Sequence, residues 1–302
     1  MWGKTGINCF VLITGYFMCA SSITIRKFLK LLLEVYFYKI VIYAIFCITR
    51  YSGVTMEGIV TALLPTRNIG DNFTGCFLFF YLCIPFLNIL VRNLSKKQHA
   101  ILIALLFTIY TVFGTLPGIH VSMNYVSWFS VLFVIASYIR THGLPKSKVY
   151  MGWGTLTLLC IAVSMASVPA TLYVNGMLHF TMFPYRWVQD SNTFLALVTG
   201  ICSFMYFKNL KIKYRPFINA VGACTFGVLL IHANSDAMRQ WLWKDMLDNV
   251  GFYPTDWIYL HAILSICIVF AVCATIDYAR IRTVEKWAFS YIDRILRRKN
   301  WR

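Results

Sequence analysis

Long apolar segments, separated by short polar ones, recur along the whole chain. A helix needs roughly 20 mostly apolar residues to cross the hydrocarbon core of a membrane, at about 1.5 Å per residue. We therefore predict an all-α polytopic membrane protein, in which residues 1–302 form a single integral-membrane domain of nine transmembrane helices in one bundle. The predicted spans cover approximately residues 6–21, 28–49, 73–93, 99–116, 124–140, 149–172, 192–208, 216–233 and 257–279.

The composition supports this class. Hydrophobic residues make up 59% of the chain and charged residues 13%, whereas a soluble domain carries about 25% charged residues. So little polar surface cannot cover a water-soluble globule. The same figures exclude a disordered, collagen-like or coiled-coil chain.

The ten cysteines all lie within apolar segments. None forms a CxxC pair, and none has a histidine at the spacing of metal ligands. We therefore expect them to pack as small apolar side chains, with neither a disulfide framework nor a metal site.

The basic residues are unevenly distributed between the two sides of the predicted bundle. Of the 28 Lys and Arg residues, 21 fall on one side or in the C-terminal tail, six fall on the other side, and Lys39 lies inside a span. Lysine and arginine concentrate on the cytoplasmic side of membrane proteins. We therefore predict a multi-pass protein of the cell (cytoplasmic) membrane, surrounded by membrane lipid, with its N-terminus outside and its C-terminus in the cytoplasm. This distribution accounts for the net charge of +17 without a nucleic-acid partner.

Two ionisable residues, Glu34 and Lys39, lie well inside the second predicted span. A charge near mid-membrane costs at least ~2.5–3.5 kcal/mol on insertion scales, so it is expected to be paired or functional. Glu34 has a simpler interpretation, which is a pair with Lys30 one helical turn away. Lys39 lies deeper, and its candidate partners are Glu34, neighbouring tyrosines or a ligand phosphate. Both Glu34 and Lys39 are therefore candidate substrate-binding residues.

Polar residues also gather at the predicted outer ends of the helices. His232 ends the eighth span and is followed by Asp236 and Arg239, a combination that suits proton transfer or sugar binding. The alternative is a helix terminus within an interfacial aromatic belt. Asn72 ends a polar cluster, residues 67–72, that precedes the third span and is placed to line an outer mouth. Long outer segments suit a polar acceptor such as a sugar, although pore vestibules have similar segments.

Five motifs follow one another in a distinctive order. They lie at Asn8–Phe17, Lys27–Tyr38, Phe79–Asn88, Phe217–His232 with Arg239 and Trp243 after it, and Ile276–Arg280. The first, NCFVLITGYF, is similar to an N-x-F-v-l-I-S-G-Y-F segment. Together the motifs resemble the acyltransferase 3 family of membrane acyltransferases, and within it the bacterial surface-polysaccharide O-acetyltransferases. The resemblance covers essentially all 302 residues.

The chain departs from this family at its beginning. Family members usually have ten helices and a cytoplasmic N-terminus, and their first helix carries an Arg and a His that is taken as catalytic. No residue here matches that Arg or that His, because Asn8–Phe17 resembles the start of the family's second helix. The resemblance therefore implies a chain truncated at its N-terminus, which transfers acyl groups poorly by itself. It leaves the catalytic residues unknown, with His232 as a candidate supporting residue.

The resemblance implies an enzyme that transfers an acyl group, usually acetyl from cytoplasmic acetyl-CoA, to a hydroxyl of an envelope or exported polysaccharide. The residues are compatible with this, because a basic inner rim suits the phosphates of CoA and polar outer segments suit a glycan acceptor. Two other classes remain open. A transporter or flippase would place paired charges such as Glu34 and Lys39 near the midplane, and a glycan polymerase would also have long outer segments.

Overall fold

The computed structural model describes residues 2–66, 72–116, 118–119, 121–144, 151–179 and 181–298. Within these ranges the chain consists of helices joined by turns and loops, with no β-strand, which confirms the all-α class. The α-helices are α1 (Trp2–Met18), α2 (Ile25–Ile48), α3 (Met56–Leu63), α4 (Phe73–Arg92), α5 (Lys96–Leu106), α6 (Phe113–Thr115), α7 (Tyr125–His142), α8 (Trp153–Leu178), α9 (Phe194–Asn209), α10 (Pro216–His232), α11 (Asp236–Gln240), α12 (Ile258–Arg280) and α13 (Lys286–Arg298). Three π-helical segments are π1 (Phe107–Val112), π2 (Trp241–Met246) and π3 (Ile281–Glu285).

Several helices are long and apolar enough to cross a membrane. In the part of the chain that the structure describes there are five such helices, or six if α10 and Asp236–Met246, which are bent by 97° relative to each other, form one span. Each of the nine predicted spans coincides with a helix. A count of nine is nevertheless not confirmed, because α1, α7 and α9, with 17, 18 and 16 residues, are not among these helices, and α10 is counted only as part of the bent pair. The chain is a multi-pass membrane protein, and the side on which each terminus lies stays a prediction. The five helices are Ile25–Ile48, Phe73–Arg92, Lys96–Thr115, Trp153–Leu178 and Ile258–Ile292.

Polar residues determine where several helices begin. The first backbone N–H groups of a helix lack partners within it, and a side-chain oxygen at the N-cap position satisfies one of them. Asn124 accepts from the backbone N–H of Ser127 at 2.9 Å and begins α7. Ser95 and Gln98 cap each other's backbone at the start of α5. Pro216 is the first residue of α10, where its missing N–H is tolerated.

Contacts between helices divide the chain into two compact units. The first unit comprises Met1–Ile25 and Asn68–Ile212, and the second comprises Arg26–Arg67 and Lys213–Arg302. Each unit is therefore assembled from two segments that are far apart in sequence. The single domain over residues 1–302 stays a prediction.

Asn8 connects three parts of the first unit. α1 packs against α7 and α9, and the Asn8 side chain is buried. Its Oδ1 accepts from Trp128 Nε1 at 2.9 Å, and its Nδ2 donates to the Ser191 carbonyl oxygen at 2.7 Å. Gly200 on α9 permits this approach, since a Cβ there would lie 2.8 Å from the Asn8 Cβ. A single amide thus fixes α1 against its neighbours, as interhelical hydrogen bonds do in membranes.

Asp277 connects three helices of the second unit. α10 packs against α12, and at Gly227 on α10 a Cβ would lie 2.1 Å from Asp277 Cγ. Any residue other than glycine would therefore collide with the Asp277 carboxylate. Tyr38 on α2 donates to Asp277 Oδ1 at 2.7 Å. The carboxylate is thus held between α2, α10 and α12.

Candidate functional site

A buried group of charged side chains joins α2, α12 and π3. Arg280 is the last residue of α12, and its side chain is only 5% exposed. Its guanidinium nitrogens lie 3.0 Å from Glu34 Oε1, 2.7 Å from Asp277 Oδ1 and 3.1 Å from Glu285 Oε2. Lys30 pairs with the other oxygen of Glu285 at 2.6 Å. We call these five residues the Arg280 cluster. They contribute three carboxylates and two cations.

The Arg280 cluster gives Glu34 a partner that the sequence interpretation did not identify. Glu34 pairs with Arg280, whereas Lys30 pairs with Glu285. A buried charge is costly unless it is paired. The planar fork of Arg280 is shared among three carboxylates, although Glu34 Oε1 and Asp277 Oδ2 are buried without a hydrogen-bond partner among the described residues. The cluster therefore holds α2 against the end of α12. A role of Glu34 in substrate binding stays a prediction.

Lys39 contacts the backbone between the end of α10 and the start of α11. It is buried in α2, and its Nζ donates to the backbone carbonyl oxygen of Asn234. The Asn234 side chain donates in turn to the carbonyl oxygens of Tyr38 at 3.3 Å and Leu230 at 3.0 Å. A cation at the C-terminal end of a helix also interacts favourably with the helix dipole. Lys39 and Asn234 thus fix α2 to the bend between α10 and α11.

His232 is the last residue of α10, immediately before the same bend, and its ring has one nitrogen suited to proton transfer. Nδ1 is 2.7 Å from the Val228 carbonyl oxygen. Since a carbonyl oxygen only accepts, Nδ1 carries the hydrogen and Nε2 keeps its lone pair. The ring is half-buried and lies edge-on to Trp243, with ring centroids 6.4 Å apart. A neutral imidazole in this tautomer can remove a proton from a hydroxyl group.

Asp236 and Arg239 form an ion pair at the surface of α11. Arg239 Nη1 lies 2.8 Å from Asp236 Oδ1, and their side chains are 58% and 96% exposed respectively. Both side chains are therefore accessible to a ligand. Such an exposed pair contributes only about 0–1 kcal/mol to stability. The bend at residues 233–235 therefore gathers four of the six predicted site residues, namely Lys39, His232, Asp236 and Arg239.

Asn72 has a structural position in the first unit. It is the N-cap of α4, where its Oδ1 accepts from the Thr74 backbone N–H at 3.0 Å. Residues 67–71, which complete its predicted cluster, lie outside the described residues. A contribution of Asn72 to an outer mouth stays a prediction.

A polar cavity of about 330 Å³ opens where α1, α7 and α9 of the first unit begin. Lys4 Nζ donates to the Tyr125 hydroxyl at 2.9 Å and lies 3.5 Å from Asp190 Oδ1. We call this cavity the Lys4 pocket. The sequence interpretation did not identify it, because its walls come from three distant segments. The lining residues are Lys4, Gly114, Ile119, Val121, Met123, Tyr125, Arg186, Gln189, Asp190 and Asn192.

A basic cavity of about 310 Å³ lies in the second unit, between the starts of α2 and α13. The Arg26 guanidinium is 5.4 Å from the centre of the Phe289 ring, within range of a cation–π interaction. We call this cavity the Arg26 groove. Four of its lining residues are cationic and one is a carboxylate, so it attracts anions. The lining residues are Arg26, Lys27, Lys30, Glu285, Lys286 and Phe289.

Comparison with known proteins identifies a family. A protein-family model described as an acyltransferase domain matches residues 1–277, which end close to the C-terminus of α12. No curated protein and no solved structure matches the chain. The match confirms the resemblance at the level of the family and favours an acyltransferase over a transporter or a glycan polymerase. The O-acetyltransferase type and the lack of a first helix stay predictions.

Proposed function

Because this chain belongs to the acyltransferase 3 family of membrane acyltransferases, we propose that it transfers acetyl from cytoplasmic acetyl-CoA to a hydroxyl of an envelope or exported polysaccharide. The thioester C–S bond breaks and an ester C–O bond forms at the acetyl carbonyl carbon. The hydroxyl proton ends on the sulfur of CoA, so the products are an O-acetylated glycan and free CoA. No oxidant, reductant or metal is required for this balance.

The Arg26 groove is the observation that supports the donor. CoA carries a diphosphate and a ribose phosphate, and Lys and Arg side chains are the groups that bind phosphate oxygens. Arg26, Lys27 and Lys286 supply such cations in one cavity, and Phe289 supplies an aromatic face for the adenine ring. Base–aromatic stacking contributes about 1–3 kcal/mol per base. The charge distribution predicts that these residues lie on the cytoplasmic side, where acetyl-CoA is found.

His232 supports the chemical step. An acceptor hydroxyl must lose its proton as it attacks the thioester, and a positioned base contributes about 10²–10⁴-fold to the rate. Nε2 of His232 has the lone pair that this step needs, since Nδ1–H donates to Val228. Asp236 and Arg239 nearby offer exposed groups for sugar hydroxyls. We propose His232 as the supporting base of the transfer.

Donor binding can be tested with two ligands that differ in their phosphates. The protein, made from its own gene and purified in detergent, is titrated with acetyl-CoA and with acetyl-pantetheine, which lacks the nucleotide. Lys27→Ala combined with Lys286→Ala should weaken acetyl-CoA binding about tenfold or more, because charge-assisted contacts are lost. The affinity for acetyl-pantetheine should stay the same.

Lys97→Ala is the matched control, since Lys97 is exposed on α5 and lies on the same predicted side of the membrane. It should leave both affinities unchanged. An unchanged acetyl-CoA affinity in the Lys27→Ala/Lys286→Ala protein would contradict the assignment of the Arg26 groove to the donor. Failure of the unaltered protein to bind acetyl-CoA would contradict the proposed function itself.

A further inference from the structure

The Lys4 pocket is held open by hydrogen bonds within its own walls. Asn192 Nδ2 donates to the Tyr110 carbonyl oxygen at 2.8 Å, and the Phe194 backbone N–H donates to Thr115 Oγ1 at 2.9 Å. Gly114 permits the first contact, since a Cβ there would lie 2.6 Å from Asn192 Nδ2. These contacts attach the segment before α9 to π1 and α6. Ligand pockets are usually preformed in this way, and about 330 Å³ falls at the small end of their usual range of roughly 300–1,000 Å³.

The π1 segment is part of this wall. A π-helical turn leaves the α-helical hydrogen-bonding register, and such turns occur frequently at functional sites. Here the carbonyl oxygen of Tyr110, within π1, accepts a hydrogen bond from the Asn192 side chain instead of from the helix alone. The irregular turn thereby holds a pocket residue in place.

The polar groups of the pocket suit hydroxyls better than a strong anion. Lys4 is matched by Asp190 at 3.5 Å. Arg186 donates from Nε to the Thr115 carbonyl oxygen at 3.1 Å and from Nη2 to that of Leu116, so its donors are partly used. The amides of Gln189 and Asn192 both donate and accept, as sugar hydroxyls do.

Apolar side chains also contribute to the lining. Ile119, Val121 and Met123 supply them, together with the Tyr125 ring, which stacks on Phe129 and has Lys4 Nζ 5.6 Å from its centre. A pyranose ring presents hydroxyls around its edge and C–H groups on its faces. A mainly polar cavity that also has apolar lining residues fits such a ring, whereas a lipid tail would leave the polar groups unmatched.

We propose that the Lys4 pocket binds a sugar of the acceptor glycan, through Asp190, Gln189 and Asn192. This inference rests on the proposed function and names the site of its second substrate. The charge distribution predicts that all three segments of the pocket lie outside, where an exported glycan would be reached. Asp190, whose side chain is 47% exposed, is the strongest acceptor available to a hydroxyl donor.

Binding can be measured by chemical labelling, without acetyl transfer. Gln189, which is exposed, is replaced by cysteine in a Cys267→Ser background that removes the exposed native thiol. The purified protein is labelled with a maleimide in the absence and presence of the chemically de-O-acetylated surface polysaccharide of its own cell. At ten times its dissociation constant, the polysaccharide should slow labelling of Gln189→Cys about tenfold. Ser122→Cys, next to the pocket but not in its lining, should label at the same rate in both samples.

Steady-state kinetics of acetyl transfer provide a second test of the Lys4 pocket. Asp190→Asn should raise KM for the polysaccharide about 10- to 100-fold, because a hydrogen bond to a charged group is lost. It should leave the affinity for acetyl-CoA unchanged. Asp256→Asn, an exposed outer carboxylate that does not line the pocket, is the matched control and should change neither value.

The outcomes separate this inference from the proposed function. Protection of Gln189→Cys together with a raised acceptor KM in Asp190→Asn supports the acceptor site. Equal labelling with and without polysaccharide, in protein that still acetylates the polysaccharide, overturns the site and leaves the proposed function intact. Absence of both acetyl-CoA binding and acetyl transfer in the unaltered protein overturns both.

Discussion

Replacing Arg280 with methionine tests whether the Arg280 cluster holds the second unit together. Methionine retains a long unbranched side chain but removes the cation that contacts Glu34, Asp277 and Glu285. Glu285 keeps Lys30 as a partner. The Glu34 and Asp277 carboxylates, 7% and 0% exposed, are left buried without their arginine. Removing one partner of a buried ion pair costs about 3–5 kcal/mol, so we expect the free energy of unfolding to fall by about that amount.

The exposed ion pair on α11 supplies the matched control. Arg239→Met removes the pair with Asp236, and such a surface pair contributes about 0–1 kcal/mol. Both variants are purified in the same detergent, and the free energy of unfolding is measured by denaturant titration of helical circular dichroism. The difference between the variants reports the burial of the Arg280 cluster rather than the loss of an arginine.

A second substitution gives the result that would refute the reasoning. Glu34→Gln in the Arg280→Met background should restore part of the lost stability, because a neutral amide replaces an unpaired buried carboxylate. Residues in direct contact usually show coupling energies of about 0.5–3 kcal/mol. Loss of stability equal to that of Arg239→Met, or purely additive effects of Arg280→Met and Glu34→Gln, would show that the cluster does not hold α2 to α12.

Three further outcomes follow from individual residues. Gly227→Ala should sharply lower the yield of folded protein, since its Cβ would lie 2.1 Å from the Asp277 carboxyl carbon, whereas Gly222→Ala on the same helix meets nothing within 4 Å and should fold normally by size-exclusion chromatography. Lys39→Met should lower the free energy of unfolding by about 1.5–3 kcal/mol through loss of its hydrogen bond to Asn234, and unchanged stability would identify a tolerated lysine. His232→Ala should lower kcat for acetyl transfer about 10²–10⁴-fold with acetyl-CoA affinity unchanged; a normal kcat would exclude His232 as the base.

The positions of the helices were predictable, because hydropathy over about 20 residues is the property that a membrane selects. Each predicted span coincides with a helix, and the eighth predicted span, 216–233, ends where α10 ends at His232. The helical segment Asp236–Met246, which follows within the predicted outer loop 234–256, was not expected. Hydropathy reports composition, whereas the start of this new helix depends on local hydrogen bonding. The Ser235 side chain accepts from the Met238 backbone N–H at 3.2 Å and caps α11. The resulting bend of 97° changes the number of helices that can count as spans.

The candidate site was predictable only in part, because its contacts join residues that are far apart in sequence. Lys39 and His232 are recognisable in the sequence because a charge or a histidine in an apolar segment is unusual. Their contacts could not be predicted, since Lys39 reaches Asn234 and Glu34 reaches Arg280 across more than half of the sequence. Spacing within one helix offers only partners one turn away, such as Lys30 for Glu34. The Lys4 pocket has no sequence signal of its own, because its lining comes from separate segments of ordinary composition.

The central claim is the transfer of acetyl from acetyl-CoA to a polysaccharide hydroxyl, and one measurement tests it directly. The protein, made from its own gene and reconstituted in lipid nanodiscs with both faces accessible, is mixed with acetyl-CoA labelled in the acetyl group and with the de-O-acetylated surface polysaccharide of its own cell. The account predicts label in the polysaccharide as an alkali-labile ester, with one CoA thiol released for each ester formed. Binding of acetyl-CoA without any labelled ester in the polysaccharide would contradict it.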